Sequence, residues 1–115
     1  NMNAEPIKKS LYDKLKAAGV TSVKLAFSGG SDEGYLDVFL YPSFDYHDEA
    51  VRNLVEEVER WAWEAYSYSG AGEGDDYGDN ITYDLVNNTV ETEEWFTERS
   101  YGDSESGELV VDSEE

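Results

Sequence analysis

One amphipathic stretch, residues 45–68, limits the folds open to this chain more than any other feature. Val51, Leu54, Val55, Val58, Trp61, Ala62 and Ala65 recur at the i, i+3, i+4, i+7 spacing that gathers a single apolar face on a helix. Glu56, Glu57, Glu59, Arg60 and Glu64 fall on the other side, and Trp63 falls among them. Such a helix needs a sheet to cover its apolar face and leaves its ionic side to water or to a partner. Asp45 is the candidate N-cap, with Asp48 and Glu49 placing negative charge in the first turn, where the helix dipole favours it.

The rest of the chain supplies that sheet. Pro6 suits a first helical turn, Ile7, Leu11, Leu15 and Ala18 mark one face, and Gly19 ends this shorter helix. Lys14 and Lys16 sit where positive charge complements the dipole of its last turns. In residues 21–28, Val23, Leu25 and Phe27 alternate with Ser22, Lys24 and Ala26, the signature of a first strand. A Gly/Asp loop over residues 29–34 leads into a second strand over 35–41, closed by Pro42, and the pair reads as a hairpin. Residues 69–80, rich in glycine and acid, read as a loop. Ile81, Tyr83 and Leu85 then alternate with Thr82, Asp84 and Val86 as a third strand. Asn87 and Asn88 form the turn, and residues 89–99 form the fourth strand. ELVV, residues 108–111, is a candidate short edge strand. The expectation is one α+β domain over residues 1–115, ordered α-β-β-α-β-β. It is a two-layer sandwich with both helices on one face of an antiparallel four-stranded sheet, with residues 1–4 and 102–115 peripheral.

Charge narrows the function classes. Against 27 Asp and Glu the chain has 8 Lys and Arg, a formal net charge of -19, and a field of that sign repels nucleic acid and anionic membrane. Residues 1–60 hold 11 acids and 7 bases, whereas residues 61–115 hold 16 acids and a single base, Arg99, so a basic partner is drawn to the second half. Acidity of this kind also keeps small domains soluble. With no cysteine, thiolate chemistry and cysteine zinc sites are excluded. Neither a membrane-length apolar run nor a signal segment stands out, so the expected setting is the cytoplasm.

Two segments carry a resemblance. AAGVTSVKLAFSGGSDEGYLDVF, residues 17–39, and YGDNITYDLVNNTVETEEWFTE, residues 77–98, resemble a helix-end, strand and Gly/Asp loop and a final hairpin. Both occur in a family of small acidic bacterial domains of unknown function. The likeness covers about half the chain and implies a similar fold and a setting on mobile elements, with no active site. In size and acidity the chain is also similar to phage and plasmid DNA-mimic inhibitors, including anti-CRISPR and anti-restriction proteins.

Four constellations are candidates for function. The first is an acidic border of Glu73, Asp75, Asp76, Asp79, Glu91, Glu93, Glu94 and Glu98. Glu91 and Glu93 share one side of a strand at about 6.6 Å, against a rise of about 3.4 Å per phosphate along a DNA strand. Such a row can imitate a nucleic-acid backbone to a lysine-lined groove. The second is aromatic: Trp63, beside Glu56 and Glu59, is a candidate partner anchor, while Tyr66, Tyr68, Tyr77, Trp95 and Phe96 are expected to serve mainly as core and hairpin packing. The third, the acidic glycine loop over residues 72–80, does not fit calcium-loop spacing, so no metal or cofactor is expected. The fourth, the single histidine, His47, stands without a nucleophile or zinc motif and reads as a surface residue. The expectation is therefore a non-enzymatic, acidic protein-binding inhibitor. Its partner would be a basic nucleic-acid-binding protein such as a CRISPR effector subunit. The alternative is an accessory domain whose charge serves solubility.

Overall fold

The computed structural model describes residues 3–30, 33–68, 76–97, 104–106 and 108. Its element order is α1 (Lys9–Ala17), β1 (Ser22–Gly29), β2 (Gly34–Tyr41), α2 (Glu49–Tyr66), β3 (Tyr77–Asp84) and β4 (Thr89–Phe96). The strands form one antiparallel sheet in the order β2-β1-β3-β4. This is the expected α+β order. The candidate edge strand at 108–111 lies outside the described residues except for Glu108.

Alternation along β1 puts Val23, Leu25 and Phe27 at 1% exposure or less, against Leu36, Val38 and Leu40 of β2 on one side and Asp79, Ile81 and Tyr83 of β3 on the other. Leu11 and Leu15 of α1, and Val58 and Ala62 of α2, join the same buried cluster with Val20 and Leu85. Fully burying an aliphatic or phenyl side chain of this kind contributes about 1.5–3 kcal/mol. The apolar stripe of α2 is wider than its periodicity implies. Trp63 and Tyr66 extend it because their rings reach Phe27, at centroid separations of 5.4 and 5.6 Å.

Three of the boundaries that differ from the sequence expectation do so for tertiary reasons. The first helix starts at Lys9, not Pro6, because the chain ahead of it is held extended. Tyr83 Oη donates to the Glu5 carbonyl at 2.6 Å, Glu5 N–H donates to Tyr66 Oη at 2.9 Å, and the two hydroxyls bond each other. The second helix is capped by Asp48, whose carboxylate accepts from Val51 N–H at 3.1 Å, rather than by Asp45. Asp45 instead closes a turn, its side chain accepting from His47 N–H and its carbonyl from Asp48 N–H. Tyr46 pins that turn by accepting from Leu40 N–H and donating to Leu40 O. This also occupies the outer backbone edge of β2, a position that unprotected strands leave open to foreign pairing.

The third difference is the largest. Residues 77–80, read as loop, are the first half of β3. Gly78 pairs between Ser28 and Trp95, and the Trp95 indole lies so close over it that a Cβ there would stand 2.4 Å from Nε1 and 2.5 Å from the Phe27 carbonyl. Pairing on both edges overrides the weak strand preference of Tyr-Gly-Asp-Asn. The β3–β4 turn, expected at Asn87 and Asn88 alone, takes in Leu85 and Val86 as well, so that β3 ends at Asp84, and Asn88 takes the positive φ of 53°. The Asp84 carboxylate accepts from Asn87 N–H and Nδ2 and from Val86 N–H, which holds its pKa below the ordinary value.

Gly78→Ala is expected to lower stability by about 1–3 kcal/mol, the usual cost of overpacking, because the new methyl meets backbone as well as the indole. Urea unfolding midpoints of the two proteins measure this directly.

Candidate functional site

The side chains that alternate with the core ones form the second face of the sheet. The strand register sorts it into four rows running from β2 through β1 and β3 to β4. They are Tyr35–Ser28–Gly78–Trp95, Asp37–Ala26–Asn80–Glu93, Phe39–Lys24–Thr82–Glu91 and Tyr41–Ser22–Asp84–Thr89. This face is open: Tyr35 is 57% exposed, Phe39 40%, Tyr41 39% and Trp95 37%. Large aromatics on the outer edges therefore flank a middle of small and polar side chains. Among the described strand residues the face carries one cation, Lys24, whose ammonium stands 5.8 Å from the Phe39 ring centroid. Glu93 accepts from Asn80 Nδ2 at 3.3 Å.

At the Tyr35–Trp95 end the face sinks into a cleft of about 440 Å³. Tyr35 and Trp95 stand at its sides, Ser28 and Gly29 lie beneath, and Glu33 and Asp76 line its end. Glu33 accepts from the Tyr35 hydroxyl. The Asp76 carboxylate lies against Gly30, where a Cβ would stand 3.1 Å from Oδ1, and the Asp76 carbonyl accepts from Thr97 N–H.

The acids read as one border are thus divided. Glu91 and Glu93 share the open face, as their two-residue spacing requires, and Asp76 lines the cleft at its Tyr35–Trp95 end. Asp79 and Glu94 are paired on the opposite, core side. Asp79 is 8% exposed, and burial, reinforced by the Glu94 charge, raises its pKa above the ordinary carboxylate value. Glu56 and Glu59 belong to α2. Burial raises the Glu59 pKa, and the charges of Glu56 and of Asp37 on β2 add to the effect, so this pair lies toward the β2 edge, three strands from β4. Glu73, Asp75 and Glu98 lie outside the described residues.

The aromatic candidates are redistributed too. Trp63, expected among ionic residues, is half-buried and edge-on to Phe27, whereas Trp95 and Phe96 are exposed. Tyr68 packs on Phe27 at 4.8 Å and meets Tyr77 at 6.2 Å. Sequence reasoning passed over Glu33, Tyr35, Asp37, Phe39 and Tyr41. The signal for the last four was the period-two pattern of YLDVFLY, which sets three aliphatics on one side and three aromatics with an acid on the other. His47 is exposed, one residue ahead of the cap. Among the described residues no three His, Asp or Glu side chains are grouped to hold a metal, and no helix is long and apolar enough to cross a membrane. The chain matches no family model, no curated protein and no solved structure.

Because ionised Asp79 is disfavoured in the folded state, its penalty is absent below the unfolded value near 3.8 and is fully present once pH exceeds the raised folded pKa. Asp79→Asn is therefore expected to raise the melting temperature at pH 7, with the gain over the parent shrinking as pH falls toward 3.5. Paired thermal melts across that range check both the sign and the window.

Proposed function

We propose that the open sheet face binds a cationic protein surface, making this chain a non-enzymatic acidic inhibitor of the DNA-mimic kind. The partner is a basic nucleic-acid-binding protein, such as an effector subunit of a CRISPR or restriction complex, met in the cytoplasm of a bacterial host. The observation that carries this reading is the pairing, on one exposed face, of the Glu91–Glu93 row with the aromatics Tyr35, Phe39, Tyr41 and Trp95. Carboxylates steer and select a cationic partner, while aromatics at a polar rim supply the buried contact that holds it. Solubility needs the first and gains nothing from the second. We place both helices together on the other face, in a two-layer arrangement supported by the single cluster that α1, α2 and the inward strand residues share. That leaves the open face as the one presented to the partner.

The acidic border conceived from sequence is narrowed in this proposal to Glu91, Glu93 and Asp76, and Asp37 of β2 is added to it. A second reading, an accessory domain of a mobile element whose acidity serves solubility, is favoured by Asp79 and Glu94, which lie on the core side of the sheet, and by Glu56 and Glu59, which belong to α2.

Capture from host lysate, with the retained protein identified and then challenged with duplex DNA, separates the two. The inhibitor reading expects a nucleic-acid-binding protein that is released by added DNA and by high salt. It also expects a loss of at least about tenfold in affinity for the Glu91→Lys/Glu93→Lys double variant, since like-charge juxtaposition in an interface costs several kcal/mol. Retention unaffected by DNA and by the double variant overturns it.

A further inference from the structure

The cleft at the Tyr35–Trp95 end has a chemistry of its own. The row that contains it places an aromatic on each outer strand, about 14 Å apart across three strand spacings, with only Ser28 and Gly78 between. The small pair is what makes a hollow rather than a filled sheet surface. Trp95 lies down over Gly78, which presents no side chain to lift it. Glu33, hydrogen-bonded by Tyr35, and Asp76, lodged on Gly30, bring two carboxylates to the end of the hollow. The Trp95 π-face and two carboxylates around one cleft form a receptor for a cation. Among common cations the guanidinium fits best. It is planar, stacks on aromatic rings, is weakly hydrated and offers a fork of N–H donors to carboxylates, whereas an ammonium is a compact and strongly hydrated point charge. Lys24, two rows away, is engaged with Phe39.

We propose that this cleft receives an arginine side chain of the partner, the guanidinium stacked against Trp95 and hydrogen-bonded by Glu33 and Asp76. The assignment rests on the proposed binding role of the open face and names its anchor. Nothing in it requires Glu91 or Glu93, so the two claims fail separately.

The test uses the full chain and a small probe, Nα-acetyl-arginine amide, with the citrulline amide as its uncharged isostere and the lysine amide as the rival cation. The readout is the Trp95 indole N–H resonance, assigned through Trp95→Phe. The expected result is a saturable shift with the arginine probe, absent with citrulline and at least about fivefold weaker in affinity with lysine. The Glu33→Gln/Asp76→Asn variant, whose two changes are isosteric and at the surface, is expected to weaken arginine binding by about tenfold while keeping the parental indole spectrum. Equal response to citrulline, equal affinity for lysine, no saturation, or an unchanged affinity in the double variant each overturns the arginine site. If the probe binds as expected while no DNA-displaceable protein is captured, the inhibitor role fails and the cleft stands. If such a protein is captured and the probe does not bind, the reverse holds.

Discussion

The register of β1, held on both edges by antiparallel partners, is the constraint from which the rest of this structure follows. Because β1 is paired with β2 and with β3 over its whole length, a shift by one residue on either side would exchange the faces. Val23, Leu25 and Phe27 would then meet water, and Ser22, Lys24 and Ala26 would meet the core. The buried cluster therefore locks the open face as firmly as it locks itself. The four rows of that face, including the small pair at the cleft, are a consequence of core packing rather than an independent design.

The elements with strong periodicity were legible in the sequence. The α2 stripe, the alternation of β1 and the two hairpins all follow from the spacing of apolar residues, and the sheet follows because those stripes need one another. What escaped was decided by contacts between distant residues. The Tyr-Gly-Asp-Asn start of β3 has the composition of a loop and becomes strand because β1 and β4 satisfy its backbone on both sides. Asp45 and Asp48 are equally good caps by type, and the choice falls to Asp48 because Tyr46, bonded to the Leu40 backbone, holds the preceding turn out of the helix. Trp63 sits at the margin of the helical stripe, where residue spacing alone does not decide and the reach of the indole to Phe27 does.

The acidic residues teach a different lesson. Glu93 and Glu94 are consecutive in a strand, so no arrangement of β4 could have put both in one row, and a border containing both was already inconsistent with a period of two. The structure divides them: Glu93 toward solvent with Asn80, Glu94 opposite the nearly buried Asp79. Burial raises the Asp79 pKa, and the facing Glu94 charge adds to it. The pairing persists in a sheet whose register is held by the apolar residues on either side, Phe27 next to Asp79 and Ile81 in the next inward position.

An exposed face bearing three aromatics on an edge strand and a tryptophan across from them would, in a neutral protein, promote association between copies. Two features oppose that here. The outer edge of β2 is partly occupied by Tyr46, and the net charge of -19 makes every copy repel every other. In the proposed role the same charge serves solubility and recognition together. The acidity that keeps such a face from pairing with itself also repels anionic surfaces and, in the proposed role, leaves the aromatics to a cationic one. A role confined to solubility would be served as well by Thr at Tyr35, Phe39 and Tyr41, a residue that strand geometry accepts readily. The presence of aromatics at those three outward positions is the part of the face that charge alone does not account for, and it is the part that a cationic protein partner would bury.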